Sequence, residues 1–225
     1  MNSANLQLSP EELRLVSDPG WILTKNSIVA KAVGIMAGLA ETYREVWAAG
    51  GVARAGIGAA GAGAIRPIEV GGIAGGGLRV EPGDPKVSRG ENYRGLPWVM
   101  LDYPRVFGRE DVLAIRTMFL WGHGFNITLH LKGRFQTLYL GVIRERRVAL
   151  GAAGFFVGVH PDEWRHEHTE EVYQPLRVFE GVLGEGGFFK LSAAVGLDRW
   201  AEAPELLAGL FTKLVEVLRP ADVCG

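Results

Sequence analysis

The chain has one cysteine, Cys224, in 225 residues. An intrachain disulfide is therefore excluded, as expected of a reducing compartment. A thiol this close to the chain end has nothing to hold it against a base, so it is a poor nucleophile. Charge of either sign is also missing in excess. Lys and Arg number 24 and Asp and Glu 25, a formal net charge of −1. No whole-molecule field would steer the protein to nucleic acid or to an anionic membrane. The basic run RERR, Arg144–Arg147, reads as a solvated helix end. The first residues, MNSANLQLSPEEL, lack the basic and apolar regions of a signal peptide. The most apolar runs, 28–40 (broken by Lys31) and 148–159, fall short of the roughly 18–20 residues that span a bilayer. The expectation is a soluble, cytoplasmic protein with neither a nucleic-acid nor a membrane partner. No G-x-S-x-G elbow, phosphate-binding Walker loop, C-x-x-C pair or H-E-x-x-H helix is present, so the common nucleophile and zinc-protease templates are excluded.

Apolar residues make up 48% of the chain and charged residues 22%, enough to build one core without staples. Ser9-Pro10-Glu11-Glu12 reads as a capping box with proline at the first helical position. Asp18-Pro19-Gly20 reads as a turn. A long helix over about 24–48 follows, with Val29, Val33, Met36, Ala40, Tyr43 and Trp47 three or four apart on one stripe. Between Gly50 and Gly77 lie eleven of the 32 glycines and a single acid, Glu69. GIGAAG, Gly56–Gly61, matches the dinucleotide fingerprint formally, but no strand precedes it to aim a helix N-terminus at a pyrophosphate. Residues 50–87 are read as a flexible connection or lid, between N-terminal helices (1–49) and a main domain (88–225). Strands are expected at 96–103, 111–121, 125–131, 154–160 and 188–196. Residues 134–147 fit an amphipathic helix or a strand, and 204–218 form the clearest helix. The fold class is α+β: a mostly antiparallel sheet with N-terminal and C-terminal helices packed on it.

Phe125, Ile127, Leu129 and Leu131 alternate with Asn126, Thr128 and His130, the pattern of a strand with one apolar face. Trp121-Gly-His-Gly-Phe125 reads as a hairpin loop. Pairing Trp121 with Phe125 would set Arg116 opposite His130. Arg116 is the only charge within 112–121. A guanidinium on an apolar strand needs a carboxylate or an anionic ligand. Asp102 is the natural intrachain partner. The alternative is an anion pocket of Arg116, His130 and Arg105.

HPDEWRHEHTEE, His160–Glu171, holds three of the five histidines. On a strand, His166 and His168 would share a face and one metal. On a helix they would lie about 200° apart. With Glu170 they form a candidate set for a divalent zinc, iron or manganese ion, in the manner of a two-histidine, one-carboxylate triad. The spacing departs from cupin and di-iron patterns, and histidines among carboxylates are commonly just solvated. A third reading has Trp164, His166, His168 and Tyr173 lining a cleft that binds a small ligand or a protein partner.

SRGENYRGLPWVMLDYPRVF (88–107), AIRTMFLWG (114–122) and DEWRHEHTEEVYQPL (162–176) resemble segments of a family of small bacterial proteins with no assigned activity. The resemblance implies that these segments belong to one domain, and it carries over no catalytic residue. The function expected is that of a non-enzymatic binding or assembly module, with Asp102, Arg105, Arg116, His130, Trp164 and Tyr173 as ligand-binding candidates and homo-oligomerisation within reach of the long helix. The alternative is a small metal-dependent enzyme at His166 and His168.

Overall fold

The computed structural model describes residues 6–50 and 80–219. GIGAAG and most of the proposed glycine-rich connection lie outside the described residues, as does Cys224. Helix α1 (Pro10–Val16) starts from the expected capping box, Ser9 and Glu12 each satisfying the other's backbone N–H. Helix α2 (Pro19–Ala49) begins earlier than the sequence suggests. Asp18 accepts from the Gly20 N–H at 2.9 Å and Pro19 takes the first helical position. The Asp-Pro-Gly signal that ends one helix thus also starts the next.

Seven strands follow among the described residues: β1 (Lys86–Tyr93), β2 (Leu96–Phe107), β3 (Val112–Leu120), β4 (Gly124–Lys132), β5 (Phe156–Gly158), β6 (Tyr173–Pro175) and β7 (Phe188–Val195). They form one sheet in the order β1-β2-β3-β4-β7-β5-β6, and every pair is antiparallel. Helices α3 (Arg134–Glu145) and α4 (Arg147–Ala152) connect β4 to β5. A 3-10 turn (Leu197–Glu202) leads into α5 (Ala203–Leu218). This is the α+β class with helices at both ends.

Alternation decides which face carries what. Val99, Leu101, Tyr103, Leu113, Ile115, Phe119, Ile127, Leu129, Leu131, Leu191 and Ala193 join one core with Val29, Met36, Tyr43 and Trp47 of α2 and Leu207, Phe211, Leu214 and Val215 of α5. Tyr43 stacks on Phe211 with ring centroids 3.7 Å apart, and its hydroxyl meets Thr117 Oγ1 at 3.0 Å. Burial pushes the Tyr43 phenol well above its ordinary pKa.

The β3–β4 register differs from the expected one. Leu120 pairs with Gly124, so Arg116 lies opposite Thr128 and Ala114 opposite His130. The slip is two residues in the pairing, which leaves every side chain on its expected face. Gly122 and Gly124, at φ +79° and +92°, make the tight return, a backbone region that glycine enters without a Cβ clash. Gly133 ends β4 at φ +59°, where an added Cβ would meet Asp111 Oδ1 at 2.3 Å and the Glu110 carbonyl oxygen at 2.5 Å. Gly133→Ala is expected to destabilise the fold by roughly 1–3 kcal/mol. Urea denaturation checks this, and an unchanged midpoint would contradict it.

Candidate functional site

The second sheet face is neither solvated nor helix-covered. Residues 159–172 lie across it as an irregular strap of bends and turns. The strands set out polar side chains in rows beneath it. Asp102, Arg116, Thr128 and Ser192 are successive cross-strand partners from β2 to β7, and His130 faces Lys190 directly. Asn126, Thr128, His130, Lys190 and Ser192 are all buried. Buried polar groups need partners, and here most partners come from the strap.

The strap is held chiefly by its backbone. Lys190 Nζ donates to the carbonyls of Glu163 (3.2 Å) and Arg165. Asn126 Nδ2 donates to the His166 carbonyl at 3.1 Å. The His166 N–H donates to the Tyr93 hydroxyl at 2.6 Å. Tyr93 in turn donates to Glu167, which also accepts from Arg94 and Arg165. Within the strap, Asp162 Oδ1 accepts from the Trp164 N–H at 2.9 Å, an Asx-type turn that aims the indole.

Arg116 sits at the centre. Its Nε and Nη2 donate to the two oxygens of Asp102 at 2.7 and 3.3 Å. Its Nη1 donates to His166 Nε2 at 3.0 Å, so that imidazole is neutral with its proton on Nδ1. Phe107 and Trp164 lie over the guanidinium at 5.2 and 5.7 Å, a cation–π arrangement. His130 Nε2 donates to Glu163 at 3.1 Å, and Lys132 donates to the other Glu163 oxygen at 2.8 Å.

These surroundings shift the titrations. Burial, then Lys190, lowers His130 to about 4 against the pull of Glu163. Burial, Lys190 and Arg116 push His166 well below the usual imidazole range. Burial alone brings His168 down to about 4. The Lys190 ammonium is lowered to about 7 by burial and by Arg116. Burial works against ionisation of Glu167, yet Tyr93, its own backbone and two arginines bring its carboxyl down to about 2. Burial and Glu167 push the Tyr93 phenol up to about 12.

The predicted residues are partly brought together. Asp102, Arg116, His130, His166 and Trp164 meet in one network. Arg105 does not join it. The β2 pairing shifts between Asp102 and Arg105, and Arg105 turns outward to donate to the Asp84 carbonyl at 2.6 Å. Arg116 spends its fork on Asp102 and His166, so the three-residue anion pocket is not assembled. Tyr173 is buried on β6 with His168 stacked on it at 5.0 Å, so neither lines an open cleft. Arg165–Glu171 is neither helix nor strand. His166 faces Arg116 while His168 faces Phe156 and Tyr173, and Glu170 is exposed. Among the described residues no three His, Cys, Asp or Glu side chains converge as a metal set. Sequence reasoning missed Tyr93, Asn126 and Lys190. The alternation of β7 around Lys190 could have flagged the last, because Phe189 and Leu191 on either side are core residues.

Tyr93→Phe removes one acceptor from His166 and one donor from Glu167. A loss of about 1–3 kcal/mol is expected, read as a lower denaturation midpoint. No change would mean that water replaces the hydroxyl without cost.

Fold and site together define an antiparallel α+β domain whose strap is fastened over a buried polar sheet face. Compared with protein-family models, curated proteins and solved structures, the chain gives no match in any of the three.

Proposed function

We propose that the protein is a non-enzymatic binding module that recognises a protein partner through the strap. The observation behind this reading is the setting of Trp164. Its indole is 49% exposed, yet its underside is fixed by Arg116 and by the edge of His130 at 5.7 Å. Phe107, also exposed, lies beside it at 6.5 Å. An aromatic anchor that is solvent-facing but conformationally fixed loses little entropy on binding, which is the character of interface hot spots. Lys132, paired with Glu163 next to Trp164 in the chain, supplies charge beside the indole, as interface rims do. The buried imidazoles and Lys190 are closed to solvent and engaged in holding the strap, a structural use of groups that would otherwise suit catalysis.

Trp164→Ala is expected to leave the fold intact and to lower partner affinity by about 2–4 kcal/mol. The check is a photo-crosslinking residue placed at Phe107 in the wild-type and W164A proteins, with cell extract as the source of partner. One adduct in the wild type that W164A loses would support the reading. Equal adducts in both, or turnover of a small molecule by the purified chain, would remove it.

A further inference from the structure

Within the strap, residues 160–171 form a loop whose two ends meet. Strands β5 and β6 pair with Gly158 opposite Tyr173, and the Val159 N–H donates to the Val172 carbonyl at 2.9 Å. This is the closed neck of an Ω-type loop. The loop is therefore free to lift about that neck with every strand pairing kept. It also gives the core nothing apolar. His166 and Glu167 are its only buried residues, and Trp164 is half exposed. A segment that buries so little apolar surface opens at a lower free energy than the fold as a whole. Polar bonds alone keep it down: Lys190 and Asn126 to its carbonyls, Tyr93 to its N–H, His130 and Lys132 to Glu163, and Arg116 to His166.

The last of these bonds cannot survive a proton. His166 Nε2 accepts from Arg116 Nη1 at 3.0 Å. Protonated there, the ring has no lone pair to offer and sets a second cation at hydrogen-bond distance from the guanidinium. The groups around the ring do not absorb that charge. Arg116 of β3, His130 of β4 and Lys190 of β7 weigh against it. Tyr93 of β1 has its ring 6.3 Å away and its hydroxyl engaged with Glu167 and the His166 N–H. The Asp102 carboxylate of β2 is taken up by Arg116. In the loop itself, Glu163 is held by His130 and Lys132, and Glu167 by Tyr93, Arg94 and Arg165. Among the described residues no carboxylate bonds to the imidazole. We propose that residues 160–171 are an acid-released latch, in which a proton on His166 breaks the Arg116 bond and lifts the loop from the sheet while the strands stay paired. The sign follows from the same contacts. The lifted loop takes the proton at the ordinary imidazole value of 6.5 and the latched one refuses it, so closure weakens as pH falls below 6.5. Trp164 rests on the same guanidinium, so release also dissolves the surface around the indole. Resting on the partner reading above, this makes the complex one that is held near neutral pH and let go in acid.

Amide hydrogen exchange on the full chain, read by mass spectrometry at pH 7.5 and pH 5 and corrected for intrinsic exchange rates, tests the latch without any partner. Peptides covering 159–172 are expected to lose protection by roughly tenfold or more in acid, the effect of one linked proton. At pH 5 they should exchange ahead of peptides from β3 and β4. His166→Gln keeps an acceptor for Arg116 and takes up no proton, so its acid loss should be smaller by about tenfold. Equal protection of 159–172 at the two pH values, exchange of the strap only together with β3 and β4, or a His166→Gln protein as acid-sensitive as the wild type would each overturn the proposal. The two wild-type comparisons decide it even where the variant does not fold. Their failure leaves the Trp164 reading standing, and a failed crosslink leaves the latch standing.

Discussion

Replacing Asp102 with alanine is expected to destabilise the protein by about 3–5 kcal/mol, the range for removing one partner of a buried ion pair. Asp102 is 6% exposed and holds two of the Arg116 nitrogens. Its loss leaves a guanidinium on the sheet face with only a neutral imidazole as acceptor. The strap should loosen as well, because His166 and Trp164 both rest on Arg116. The double variant Asp102→Ala/Arg116→Met removes the stranded charge and is expected to recover most of the stability, while Trp164 loses its cation–π support. Equilibrium denaturation followed by tryptophan fluorescence reads both effects. A single variant within about 1 kcal/mol of wild type would mean that solvent reaches Arg116 far more freely than a bidentate pair beneath an indole allows.

Lys190, lowered from 10.5 to about 7, already costs stability as pH falls through that range, and the imidazoles are expected to continue the loss below pH 6.5, above the range where carboxylates titrate. His130 has a folded pKa of about 4 against 6.5 for the free side chain. Above pH 6.5 it is neutral in both states and its contribution is complete. Below 6.5 the unfolded chain takes up a proton that the folded chain refuses, so stability falls until about pH 4. The shift amounts to about 3 kcal/mol at 1.36 kcal/mol per unit. His166 and His168 shift in the same direction and add to the loss. Glu167 extends it between its ordinary 4.5 and about 2, since a carboxylate of depressed pKa also loses its contribution as pH falls. Urea titrations at pH 8, 6 and 5 should show a steepening decline. His130→Gln should flatten it between 6.5 and 4. Equal stability at pH 8 and pH 5 would show that the imidazoles reach water in the folded state.

Most of the longer elements were legible because their signals are local, whereas β1 (Lys86–Tyr93) and β6 (Tyr173–Pro175) carry no alternation that announces them. Ser9 with Glu12, the α2 stripe, the 125–131 alternation and the α5 stripe each follow from the period of one helix or strand, and each is found in place. The fold class follows from their order. The pairing of Arg116 with Asp102 was legible for a different reason: a lone charge on an apolar strand demands a carboxylate, and one lay at the end of the neighbouring strand. The β3–β4 register was not, because Trp121-Gly-His-Gly-Phe125 fits returns that differ by two residues while the alternation stays the same.

What the chain by itself determined is the set of amphipathic elements and which side of each strand would be polar. Only the tertiary structure decided what covers the polar side. Residues 159–172 have no periodicity to read. Their shape comes from Lys190, Asn126 and Tyr93, which lie between 25 and 73 residues away and bind backbone atoms. Backbone carbonyls and N–H groups are the same in every residue, so no side-chain pattern in the strap announces where it will be fastened. Within the histidine-rich stretch the sheet meets His166 with Arg116 and Lys190, and burial beside positive neighbours keeps that imidazole neutral.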